Sequence, residues 1–213
     1  MRIELPFLTK SGDSSPVLGA DRELIASLLH GKHYKGAKLG RIFSQAATPL
    51  GLAVPIYTAT AIAGGMPLWN PPDSAVNVAL IHADFGYGSG VAVYGSIGLM
   101  WRKLRSIATG ELMTALANTT PINGLLGAGN ASKTLSSNAG TCTVTAGVAA
   151  DWIRTLASIN LEAQTTTAHG TLTPHYDFDG TVVVPPGNLV YFAATLASVA
   201  LYATSVVWEE VPV

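Results

Sequence analysis

The 213-residue chain carries 12 Lys and Arg against 13 Asp and Glu, so charged side chains make up 12% of it, where an ordinary globular chain holds about 25%. A single cysteine, Cys142, excludes an intrachain disulfide, and 48% apolar residues with so little charge exclude a well-solvated monomer unless neighbours cover part of its outside. The formal net charge of −1 divides unevenly: residues 1–41 hold seven basic and four acidic side chains, and the remaining body holds five basic and nine acidic.

At the amino end, Glu4 and Pro6 interrupt the apolar stretch that a secretory signal would need, so assembly in the cytoplasm is expected. Residues 1–20 read as an extended arm with turn chemistry from Gly12 to Pro16. Asp21 is placed to cap a short helix through Leu29, with Leu24, Ile25, Leu28 and Leu29 at helical spacing. His30–Arg41 carries four basic residues and three glycines and reads as a flexible or docking connector. Lys32, His33, Lys35, Lys38 and Arg41, with Tyr34 among them, could neutralise nucleic-acid phosphates; docking on an acidic protein surface is the simpler reading, and a merely solvated connector stands beside it. Residues 1–41 are thus an arm and connector, and 42–213 a single domain.

From Ile42 to Pro72 there is no charge, and Pro49, Pro55, Pro67, Pro71 and Pro72 cut the stretch into pieces suited to short strands. Ala75–Phe85 is the clearest strand, with Ala75, Asn77, Ala79, Ile81, Ala83 and Phe85 on one face and Val76, Val78, Leu80, His82 and Asp84 on the other. Gly86–Gly90 then predicts a turn into Val91–Leu99 as an antiparallel hairpin. Residues 104–140, rich in Gly, Asn, Ser and Thr after 117, read as an exposed excursion. Strand patterns resume at Thr141–Ala146, Ile153–Gln164 and Thr181–Val184. Leu189–Trp208 has the length of a membrane span without a charge, but its Thr, Ser and Tyr content and a break near Ala197–Ser198 favour two strands. Short strands, few helices and frequent Gly and Pro predict an all-β sandwich with one or two short helices at most, its likeliest topology a jelly roll.

Chemistry is sparse. His175, Asp177 and Asp179 alternate and would share a face of an extended segment, the weak candidates for a metal, with His169 nearby; a solvated strand face produces the same pattern, and no zinc spacing accompanies it. His82 and Asp84 share a face and form a candidate pH-sensitive pair. Gly12-Asp13-Ser14 lacks the distant Asp-x-x-His of a serine esterase, and the body is poor in the acidic pairs a glycosidase needs. No enzyme activity, cofactor, metal or small-molecule substrate is expected.

Three stretches, Pro67–Phe85 (PLWNPPDSAVNVALIHADF), Asp179–Leu189 (DGTVVVPPGNL) and Val206–Val213 (VVWEEVPV), resemble a group of bacteriophage virion proteins, a likeness that runs from about residue 41 onward. The resemblance implies a virion structural protein without catalytic residues, of the capsid decoration or cement kind, commonly a homotrimer, with itself and the major capsid protein as partners. The alternative it leaves open is a tail fibre or spike head that reads a host receptor, with residues 118–138, Trp69, Tyr87 and Trp101 as contact surface.

Overall fold

The computed structural model describes residues 17–18, 24–25, 32–90, 95–103, 121–127, 129–137, 150–159, 174–197 and 199–213. By contacts the chain divides into Met1–Lys35 and Gly36–Val213. In the first unit, β1 (Val17–Leu18) pairs antiparallel with β2 (Leu24–Ile25), Val17 opposite Ile25 and Leu18 opposite Leu24. A strand therefore stands where the apolar spacing suggested a helix from Asp21. So short a helix gains little in water from its own hydrogen bonds, and at Leu24–Ile25 the backbone is paired in a ladder instead.

The expected connector contains a regular element, α1 (Tyr34–Lys38). Its glycines serve geometry rather than flexibility. A Cβ on buried Gly36 would stand 2.8 Å from Glu209 Oε1. Gly40, at φ 66°, closes the helix in the left-handed conformation, its N–H donating to Ala37 O and that of Arg41 to Gly36 O, each at 2.9 Å. Arg41 O in turn accepts from Glu210 N at 2.8 Å, and Asn123 Nδ2 donates to Gly40 O at 2.9 Å. These bonds explain why the body begins at Gly36 and not after Arg41.

The remaining strands are β3 (Ile42–Ala46), β4 (Leu52–Ala53), β5 (Leu68–Asn70), β6 (Val76–Ser89), β7 (Gly95–Lys103), β8 (Ile122–Asn123), β9 (Leu135–Ser136), β10 (Asp151–Ile159), β11 (His175–Asp177), β12 (Val183–Val184), β13 (Asn188–Ala194) and β14 (Leu201–Pro212). They form two antiparallel sheets: a larger one in the order β11-β6-β14-β3-β8, with β12 also on β6 and β4 on β14, and a smaller one in the order β10-β7-β13-β5-β9. The sheets pack on each other as the all-β sandwich expected. Along the chain the longer strands alternate between sheets: β3 large, β5 small, β6 large, β7 and β10 small, β11 and β12 large, β13 small, β14 large.

Alternation along β14 sends Tyr202, Thr204, Val206, Trp208 and Glu210 inward and leaves Leu201, Ala203, Ser205, Val207 and Glu209 half-buried. Phe43, Leu80, Phe85, Val206 and Trp208 of the large sheet meet Leu68, Ile97, Leu99, Val190 and Phe192 of the small one in the main core. A second cluster, Trp69, Met100, Leu189, Tyr191 and Ala193 with Ile62, covers the other face of the small sheet. With both faces of β13 buried, its lack of charge needs no membrane. Among the described residues no helix is long and apolar enough to cross one.

Several local expectations change. Trp208 pairs with Leu80 but Val207 with His82, so Ile81 is an extra residue, a bulge. Val76, Val78 and Leu80 therefore share the inner face with Ala83 and Phe85, while Asn77, Ala79, His82 and Asp84 turn outward. The bulge also aims Ile81 O at the N–H groups of Phe178 and Asp179, at 2.7 and 3.1 Å. Gly86–Ser89 continue β6 against β14 instead of turning. β7 does not pair with β6 as a hairpin: it crosses to the other sheet, between β10 and β13. From the expected excursion, residues 121–127 and 129–137 supply β8 and β9 to the two sheets, with Thr134, Ser136 and Ser137 buried. Thr141–Ala146, with Cys142, lies outside the described residues, as do 160–164, so the strand expected to reach Gln164 is described as Asp151–Ile159.

Candidate functional site

The three stretches singled out in the sequence meet in space. β12 and β14 both pair with β6, β5 pairs with β13, and Gly187 N donates to Asn70 O at 2.7 Å. Each Pro-Pro turn is held by an asparagine. Buried Asn70 donates through Nδ2 to Val76 O and Val184 O, at 2.8 and 2.9 Å; Asn188 donates to Pro185 O and Pro186 O and accepts from Trp101 Nε1 at 2.9 Å. Proline fixes φ, and the amides fix the direction in which the chain leaves.

Ionisable side chains gather on the outer face of the large sheet. In the register of β11 on β6, His175 lies opposite Asp84 and Asp177 opposite His82, so the four residues form a square with unlike partners along and across the strands. His175 Nδ1 is 2.5 Å from Asp84 Oδ1 and its Nε2 3.1 Å from Asp177 Oδ1; His82 Nε2 is 3.6 Å from Asp84 Oδ2. The two imidazole centroids are 5.4 Å apart. Ser205 Oγ donates to Asp84 Oδ2 at 3.1 Å, which fixes the carboxylate.

Partial burial opposes ionisation of Asp84, but the hydrogen bonds from His175 and Ser205, then the charges of His82 and His175, outweigh it and hold its pKa below the ordinary value. For His175 the hydrogen bond to Asp84 leads and, against some desolvation, the charges of Asp177 and Asp84 help raise its pKa. The cationic imidazole suits this position because both ring N–H groups then meet carboxylates.

Of the metal candidates, His175 and Asp177 are occupied with each other and with Asp84, whereas Asp179 sits in the following turn at φ 51°. Among the described residues no group of three or more His, Cys, Asp or Glu side chains has the geometry to hold a metal ion. His169 and Gly12-Asp13-Ser14 lie outside the described residues, and Gly86–Ser89 are in a strand. The candidate docking residues divide between the two units: Lys32 and Lys35 are exposed and His33 half-buried in the first, and Lys38 is exposed and Arg41 half-buried in the second.

Two features were missed in the sequence. Glu210, at 5% exposure, accepts from Ser132 Oγ at 2.6 Å, Lys133 N at 3.0 Å, and Thr134 N and Oγ1 at 3.1 and 2.9 Å. A buried carboxylate thus pins residues 132–134 to the last strand. An open hollow of about 340 Å³ is walled by Trp101, Ile153, Val183, Pro185 and Val190, with Asn188 already engaged by the Trp101 indole. It offers apolar contact and no titratable group.

No protein-family model, no curated protein and no solved structure matches this chain.

Proposed function

We propose that the chain is a structural subunit of a bacteriophage particle, a decoration or cement protein that binds between shell subunits of the head, with copies of itself, as a homotrimer, and the major capsid protein as partners. The observation that carries the reading is the large apolar side chains left outside a charge-poor body: Leu50 at 80% exposure, Leu126 at 78%, Val199 at 70% and Ile122 at 61%. Leu50 and Val199 flank the Gly88–Gly90 stretch, while Ile122 and Leu126 lie at or beside the β8 edge of the large sheet. Surface of that kind favours burial against another subunit, and a contact of about 2,000 Å² or more is the range in which association becomes obligate.

Read as a jelly roll, the alternation of strands between the two sheets supports a viral-shell role without carrying it, since that architecture, frequent in viral shells, is shared with lectins and cupins. In the docking role Lys32, His33, Lys35, Lys38 and Arg41 face an acidic shell surface, and many equivalent sites on one particle add their affinities.

The test is imaging of particles carrying the labelled protein. Label over the whole head supports cementing; label confined to the tail favours the receptor-reading alternative, and unlabelled particles refute both. Deleting Met1–Lys35, and not through Arg41, should leave a folded oligomer that no longer binds particles, because Gly36–Arg41 is hydrogen-bonded into the body. Retained binding would refute the arm-docking part.

A further inference from the structure

We propose that the outer face of β6 and β11 is a two-fold contact between copies of this chain, closed by the His82–Asp84–Asp177–His175 square and loosened as the histidines lose their protons. The proposal rests on the assembly reading and adds a second kind of contact to it: a threefold trimer contains no two-fold axis, so the square joins a copy in one trimer to a copy in another.

The pattern is self-complementary. Along β6 the order is His82 then Asp84; across from them on β11 stand Asp177 and His175. Lay a second copy face to face about a two-fold axis parallel to the strands, and His82 comes over Asp177 and Asp84 over His175. With the axis in the same plane but perpendicular to the strands, His82 comes over Asp84 and Asp177 over His175. Either way every imidazole meets a carboxylate, as an isologous contact requires. Both axes suit sheets stacked with their strands nearly aligned.

The surroundings allow close approach. The outward side chains beside the square are Ala79, Ala203, Ser205 and Val207, with Gly86 continuing the strand, so a second sheet can approach over β6 and β11; α1 stands on the same face farther along, where Gly36 packs on Glu209 and Ile42. Val183, opposite Ala79 on β12, is 53% exposed and supplies apolar contact at one end. The square itself is open to a partner, its side chains 31% exposed at His82, 43% at Asp84, 53% at His175 and 61% at Asp177.

Among the described residues, the titratable groups on the outward positions of β6, β11 and β14 are those four and Glu209, which lies opposite Ala79 at the rim and packs against Gly36 of α1, the helix that carries exposed Lys38. Protonated imidazoles balance the carboxylates; neutral ones leave Asp84 and Asp177 of both copies as four unbalanced negative charges within one contact.

The experiment is sedimentation equilibrium of the full chain, wild type and Asp177→Arg, at about pH 6 and about pH 8.5, bracketing imidazole titration. Wild-type association should weaken by about tenfold or more between the two, and Asp177→Arg should weaken it comparably at the lower pH, since it sets a cation against a histidine in either arrangement. Circular dichroism and the melting temperature of the exposed-site variant should match wild type, separating lost contact from lost fold. An oligomer indifferent both to Asp177→Arg and to pH overturns this inference and leaves the assembly reading standing; a chain monomeric in every condition overturns both.

Discussion

Glu210 shows how one side chain can fasten a distant segment. Its carboxylate receives hydroxyl and backbone donors from residues 132–134, and its burial leaves those donors no water to turn to if it is removed. Glu210→Ala should lower the unfolding free energy by about 3 kcal/mol, the range for leaving buried donors unsatisfied, as read from denaturant titration. His175 gives a second test at this scale. Its pKa is raised in the folded chain, so its contribution to stability is complete below the ordinary imidazole value of 6.5 and is lost as pH rises through the higher folded value. Asp84, lowered, contributes above its ordinary value of 3.8 and loses that contribution as pH falls through the lower folded one. NMR titration of the His175 ring should accordingly give a midpoint above 6.5, moving down in Asp84→Asn.

Elements were legible where one rule governs them. β14 was partly legible: composition and a break near Ala197–Ser198 predicted a strand ending at Trp208, and the structure shows strict alternation from Leu201 to Glu210 and pairing on to Pro212. β6 defeated the same rule at one residue, because a bulge at Ile81 is set by the partner strand and by the turn at Phe178–Gly180, neither of which the local sequence reveals. Glycines misled for a related reason. Gly36 was read as flexibility although a carboxylate packs against it, and the clasp of Glu210 joins positions far apart in sequence. The His82–Asp84 pair was legible at strand spacing; its completion by β11 required the register. Gly98 offers an element-scale test. A Cβ there would fall 2.1 Å from the Trp152 ring, so the close approach of β10 to β7 depends on its absence. Gly98→Ala should force that ring off the sheet and destabilise by about 2 kcal/mol, with a changed tryptophan emission spectrum.

Across the whole molecule, the sandwich concentrates its apolar mass at the seam between sheets. Trp208 is fully buried there, 6.1 Å from Phe43 and nearly parallel to it, though its indole N–H finds no hydrogen-bond partner among the described residues. Trp208→Ala should cost about 4 kcal/mol by the cavity it leaves, and Trp208→Phe much less, because the phenyl ring keeps the stacking and removes the unpaired donor. Thermal unfolding of the two variants beside wild type checks the order. The all-β class and most of the longer strands were foreseeable from composition and punctuation; the short strands β2, β8 and β9 were not, nor was which strands face each other, since pairing depends on residues more than a hundred positions apart.

The place of β14 between β3 and β6 has a consequence for how the protein comes into being. A ribosome finishes β3 and β6 long before it makes the strand that must slot between them, so the nascent chain waits with two open edges. The larger sheet therefore cannot close until β14 has been made, and until then the gap between β3 and β6 stays open to a strand from another chain.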